Sequence, residues 1–278
     1  MAKSLANEDL TGTTRMTLIL SSGKQEIVIK QPILNSAGTL GFSDELRNFI
    51  DLDALGAFIT NPVSLHPRTP AQGPRLVTGT HGVLLHTGLP NPGVQRVIEL
   101  HQSRWERMKP PVILHVLAAH QDEMTAIIDL VEGVGPIQAL EIGLLDEDHE
   151  IDKRIFEAAC ASMLPAIARL PVHTRTERIL HFEAIGAAAI ALGAPRGTLF
   201  VEGQPISGRL YGSALLAQMV HAVIQARECL SCPLIAGSGV FSRNDAEQLL
   251  AAGAGAIELD TVLWTTPESL LDPQLAAG

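Results

Sequence analysis

The chain has 278 residues, of which 46% are hydrophobic, 18% charged and 4% aromatic, with a formal net charge of −10. A chain this long buries most of the surface it exposes when unfolded, and so much apolar content excludes intrinsic disorder. The acidic balance, without a basic stripe, argues against nucleic-acid binding, and no run reaches the roughly 20 apolar residues that cross a bilayer.

Residues 1–15 are polar and read as a flexible tail without the apolar centre of a signal peptide. The remainder, 16–278, reads as one domain, because no linker or composition break divides it. Met16–Leu20 and Glu26–Lys30 are short β-rich runs split by Ser-Ser-Gly-Lys, a hairpin signal. Eight apolar runs follow: 33–38, 57–63, 112–118, 139–144, 166–170, 189–194, 234–239 and 256–261. They show little alternation, as expected of strands buried on both faces of a parallel sheet. Helical periodicity marks 93–106, 122–132, 212–227 and 244–252, with Ser242 as an N-cap before the last. Eight strands with helices between them predict an α/β fold, a (β/α)8 TIM barrel whose N-terminal β-hairpin closes the bottom. A doubly wound sheet is the runner-up.

In such a barrel the chemistry collects at the carboxyl ends of the strands. The small residues Ala236-Gly237-Ser238-Gly239, with Ser207-Gly208, read as a phosphate cradle ahead of a helix N-terminus. Asp260 opposes this reading, since two neighbouring anions repel. The five lysines, Lys3, Lys24, Lys30, Lys109 and Lys153, all miss the strand ends, which disfavours Schiff-base aldolase chemistry. Three cysteines make no disulfide framework, which points to the cytoplasm. Cys229-x-x-Cys232 lacks the second half of a zinc site, and Cys160 reads as core packing.

The strand-end residues resemble the soluble, FMN-binding dihydroorotate dehydrogenases over about residues 16–266. The resemblance rests on Gln31-Pro32-Ile33-Leu34-Asn35-Ser36-Ala37-Gly38-Thr39-Leu40-Gly41-Phe42, Pro67-Arg68, Pro74-Arg75 and Gly88-Leu89-Pro90-Asn91-Pro92-Gly93. Ile206-Ser207-Gly208, Pro233 to Val240 and Ala251-Ala252-Gly253-Ala254 extend it. It implies an FMN oxidoreductase of pyrimidine biosynthesis, converting dihydroorotate to orotate. Ser36, Ala37 and Gly38 would pass under the isoalloxazine. Ser207, Gly208, Ser238 and Gly239, with Thr261 nearby, would hold the ribityl phosphate.

The family's chemical residues are replaced. Asn61 stands for a lysine after strand two, Leu85 and His86 for an asparagine that binds substrate, and His115 for an asparagine on strand three. Gly143 to Asp148 replaces Asn-x-Ser-Cys-Pro-Asn, with Asp146 at the place of the catalytic base. Arg169 replaces the strand-five lysine, and Ala194-Pro195 an Asn-Thr.

Three readings follow. The first is a divergent FMN oxidoreductase with altered or weak substrate chemistry. In it Asp146 is the base, Asn61 and Arg169 lie beside the flavin, and His86 and His115 hold the substrate. The second is a non-catalytic barrel that has lost redox activity and acts as a partner or regulator. The third is a metal site of His86, His115, Asp146 and Asp260. A homodimer is the expected assembly, since symmetric pairs dominate soluble oligomers.

Overall fold

The structure, a computed structural model, describes residues 6–8, 14–80, 82–144 and 148–267, with side chains from residue 17 onward. Most of the predicted tail lies outside the described residues; within it, Ala6–Glu8 pairs antiparallel with Thr14–Met16.

Eight parallel strands form the barrel: β1 (Ile33–Asn35), β2 (Phe58–Ile59), β3 (Val112–Leu117), β4 (Ile137–Gly143), β5 (Ala166–Pro171), β6 (Ala189–Gly193), β7 (Leu234–Gly237) and β8 (Ala256–Leu259). Each pairs with its neighbour in sequence, and β8 returns to β1. The seam between β1 and β2 is closed by a Leu34–Ala57 bridge and by one side chain. The Asn35 amide donates to the Ile59 carbonyl at 2.7 Å and accepts from the Ile59 N–H at 2.9 Å. An asparagine thus supplies the ladder bonds that so short a β2 lacks. After Asn61-Pro62, Val63–Ser64 resumes the pairing with β3.

Among the described residues six helices pack outside: α1 (Val94–Trp105), α2 (Gln121–Val131), α3 (His149–Ala161), α4 (Thr176–Ile185), α5 (Leu216–Arg227) and α6 (Arg243–Ala252). Four of these match the predicted periodic segments. Ser242 caps α6 in a full capping box with Asp245. The periodicity missed α3 and α4. Their buried large side chains are few, Ile155 and Phe156 in one, Ile179 and Phe182 in the other, so the apolar stripe is short.

Inside the barrel the strands do alternate, with period two. Leu34, Ile59, Ile113, Ile167 and Ile235 fill the lower interior, and the hairpin Leu18–Ser21/Glu26–Ile29 plugs the bottom with Leu18, Leu20, Ile27 and Ile29. Two residues beyond Leu34, Ile113, Ala139, Ile167, Ala191, Ile235 and Ala256 lie Ser36, His115, Glu141, Arg169, Gly193, Gly237 and Glu258. The upper interior is therefore polar and charged.

A second sheet was not anticipated. Leu76–Gly79, Gly82–Leu85, Arg196–Val201 and Gln204–Tyr211 form a four-stranded antiparallel cap. Its two hairpins leave from the carboxyl ends of β2 and β6, so the cap covers the barrel mouth. Among the described residues no helix is long and apolar enough to cross a membrane.

Candidate functional site

The barrel mouth is occupied by an ion network. Arg169, 3% exposed, donates from Nη1 to Glu141 Oε1 at 3.1 Å and to Glu258 Oε2, and from Nη2 to Ser36 Oγ at 2.8 Å. Ser36 Oγ in turn donates to Glu258 Oε2 at 2.9 Å. His115 Nδ1 meets Glu141 Oε2 at 2.5 Å. Both glutamates are fully buried. Burial opposes the charge on Arg169, but Glu258 and Glu141 outweigh it and hold the guanidinium protonated. Burial, with Arg169 and Arg209, pushes the His115 pKa well down, so its ring is neutral.

Three inward glycines make room for this network. A Cβ on Gly143 would stand 2.8 Å from His115 Nε2, one on Gly193 2.7 Å from Arg169 Nη2, and one on Gly237 2.7 Å from Glu258 Cβ. Gly193→Ala is expected to destabilise the protein by about 1–3 kcal/mol, the usual cost of overpacking. Chemical denaturation would measure it; an unchanged midpoint would mean that Arg169 has slack.

The residues expected to cradle a phosphate lie close in sequence to α5, α6 and β8, but their space is taken. A Cβ on Gly239 would meet the Leu216 N at 2.4 Å, so the start of α5 is seated on it. Gly208 is pressed against the Leu85 carbonyl, which a Cβ would meet at 2.1 Å. Ser207 lies on the exposed cap, its hydroxyl on Thr198 Oγ1 at 2.7 Å. Asp260, 2% exposed, accepts from Thr261 N–H and Oγ1 through Oδ1. Its Oδ2 and the Ser238 hydroxyl are both buried without a hydrogen-bond partner. Burial raises the Asp260 pKa to about 6 against the pull of the Thr261 bonds, Arg169 and Ser238.

What remains at the mouth is a cavity of about 20 Å³. Ala37, Pro62 and Leu89 wall one side, and His115, Arg169, Arg209 and Tyr211 the other. Arg209 and Tyr211 come from the cap, two residues apart and on one face of their strand.

The predicted site residues therefore scatter. Ser36, Ala37, Arg169 and His115 meet at the mouth. Gly38 sits beside Pro62. The Asn61 side chain ties down the Gly41 N–H at 3.2 Å. His86 does not line the cavity; its Nδ1 lies 2.6 Å from the Ser207 carbonyl oxygen. Asp146 lies outside the described residues. Among the described residues no three His, Cys, Asp or Glu side chains group as a metal set. Burial raises the Cys232 thiol to about 12, which removes it as a reactive partner for exposed Cys229. Glu141, Glu258, Arg209 and Tyr211 are the residues that sequence reading missed. A signal existed for the first two. Each follows an inward alanine, Ala139 or Ala256, by two positions on a buried strand, which puts a charge inside the barrel.

A flavin does not fit this arrangement. Sites for cofactor-sized ligands enclose roughly 300–1,000 Å³, far above what the mouth leaves. The Asp260 carboxylate is bonded to Thr261, a residue expected beside the phosphate, and the Ser36 hydroxyl and the Arg169 guanidinium are committed to the network.

Comparison with known proteins shows what the chain is similar to. The family profile described as dihydroorotate dehydrogenase matches residues 20–143. The catalytic subunit of dihydroorotate dehydrogenase B (NAD(+)) from Desulforudis audaxviator is 29% identical over 273 residues, covering 91% of this chain and 87% of its own. The proteins of the same name from Listeria welshimeri and Pelobacter propionicus are each 25% identical, covering 86% and 87% of this chain and 86% of their own.

Proposed function

We propose that this chain, a divergent relative of the dihydroorotate dehydrogenases, is a flavin-free barrel. It serves in the cytoplasm as a binding or regulatory partner rather than as a dehydrogenase. One observation carries the reading: Arg169 is clamped between Glu141 and Glu258 at the barrel mouth, beside Ser36, which the resemblance would set under a flavin ring. Swinging Arg169 aside would leave two buried carboxylates uncompensated. Removing one partner from a buried ion pair costs about 3–5 kcal/mol, which any ligand entering by that route must first overcome. The relatives are named as catalytic subunits, a term that implies further subunits in their enzyme. For this chain the matching expectation is assembly with another subunit or with a second copy of itself.

The second reading keeps FMN, with altered substrate chemistry and Asp146 as base. Ser36, Ala37 and Gly38 at the mouth, and similarity along nearly the whole chain, favour it.

Purification from cells rich in flavin separates the two. The protein is expected to be colourless and to show no thermal shift with millimolar FMN. A genuine binder at a thousandfold excess over its Kd would gain about 4 kcal/mol. Yellow protein, or a shift of that size, would overturn the flavin-free reading.

A further inference from the structure

We propose that the cavity at the barrel mouth binds a small oxyanion carrying its own hydroxyl, held by Arg209, Tyr211 and His115; the proposal rests on the flavin-free reading. The cavity, about 20 Å³, exceeds the roughly 10–15 Å³ that admits one water. By that measure it takes one or two ligand oxygens, enough for one end of bicarbonate or of a short α-hydroxy acid.

The chemistry of the walls sets the class. Arg169 spends its charge on Glu141 and Glu258. Arg209 has no such partner: among the described residues no carboxylate lies within ion-pair distance of it, and its guanidinium makes no hydrogen bond. Burial and the positive charge of Arg169 both disfavour it. A half-buried guanidinium without a counter-charge is stabilised by an anion, because a charge withdrawn from water and left unpaired is costly. Tyr211, 5% exposed, lines the same cavity, and its hydroxyl makes no hydrogen bond among the described residues.

His115 adds the discriminating feature. It is 2% exposed, and its Nδ1 faces the Glu141 carboxylate, so in the neutral ring the proton sits on Nδ1. Nε2 is left as an acceptor without a partner among the described residues. Two donors and one acceptor therefore face the cavity. Chloride or a plain carboxylate would satisfy Arg209 and Tyr211 but give His115 nothing. A hydroxyl beside the anionic oxygens completes all three. Ala37, Pro62 and Leu89 exclude water from the other side, which strengthens each of these bonds.

The test measures binding of glycolate and bicarbonate, with acetate and chloride as comparators, by calorimetry and thermal shift on the full chain. Glycolate or bicarbonate is expected to bind in the millimolar range or tighter, and acetate about tenfold more weakly, the effect of one lost hydrogen bond. Arg209→Gln is expected to lower glycolate affinity by about tenfold or more. Tyr211→Phe, which removes only the hydroxyl, gives a second measure should Arg209→Gln fold poorly. Binding to none of the four probes, equal affinity for acetate and glycolate, or unchanged binding in both variants would overturn the proposal. Any of these results in a protein that still rejects FMN would leave the flavin-free reading intact. Uptake of FMN would remove both.

Discussion

At pH 8, where Glu258 has released its proton, Arg169→Met is expected to destabilise the protein by about 3–5 kcal/mol, the cost of stranding buried charges without their partner. Methionine keeps most of the side-chain volume, so the loss would be electrostatic rather than steric. Glu141 and Glu258 would face each other across the mouth with only the neutral His115 ring and the Ser36 hydroxyl between them. The triple variant Arg169→Met, Glu141→Gln, Glu258→Gln is expected to recover much of the loss, because an uncharged interior escapes the desolvation cost altogether. Urea denaturation of the single and triple variants checks both statements. A single variant within about 1 kcal/mol of the parent protein would mean that solvent already reaches the network, since exposed ion pairs are worth that little.

The second large effect is a fall in stability as pH rises from about 4 to 7. Burial raises the Glu258 carboxyl from 4.5 to about 7, against the pull of Arg169, and the Asp260 carboxyl from 3.8 to about 6. Both groups hold protons in the fold that the unfolded chain has released. Their stabilising effect is fully present below the unfolded pKa values and is lost as pH climbs through the folded ones. At about 1.4 kcal/mol per unit, each contributes on the order of 3 kcal/mol over that span. Asp260→Asn isolates one of them. The amide oxygen can still accept from the Thr261 N–H, while its NH2 gives the Ser238 hydroxyl a donor. The variant is expected to be more stable than the parent at pH 7.5 and to lose the slope between pH 4 and 6. Parallel stability curves for the two proteins would show that Asp260 is not the group responsible.

The two effects bear on the same question. A mouth held by Arg169 leaves about 20 Å³, less than an aromatic ring system needs, and the buried Asp260 carboxyl repels any anion brought near it. Ser36, His115, Glu141, Arg169 and Glu258 satisfy one another at the barrel mouth.

Much of this was legible in the chain itself. The eight strands fall where the apolar runs lie, because burial on both faces demands continuous apolar sequence. The hairpin and the α6 cap are local features written in a few adjacent residues. Asp260 could be marked as an obstacle to phosphate binding from its position alone. Arg169 could be placed at a strand end, but not its partners.

What only the tertiary structure decided is which strand ends meet. Glu141, Arg169 and Glu258 lie on β4, β5 and β8, far apart in sequence, and their pairing exists only once the ring closes. The cap sheet joins residues 76–85 to 196–211 across four barrel strands and four helices, and it alone delivers Arg209 and Tyr211 to the mouth. Periodicity reports which face of an element is buried; it carries no record of the neighbour across a barrel. Whether a buried charge is paired, stranded or waiting for a ligand is a matter of a few ångströms between distant segments, and those distances arise only from the packed fold.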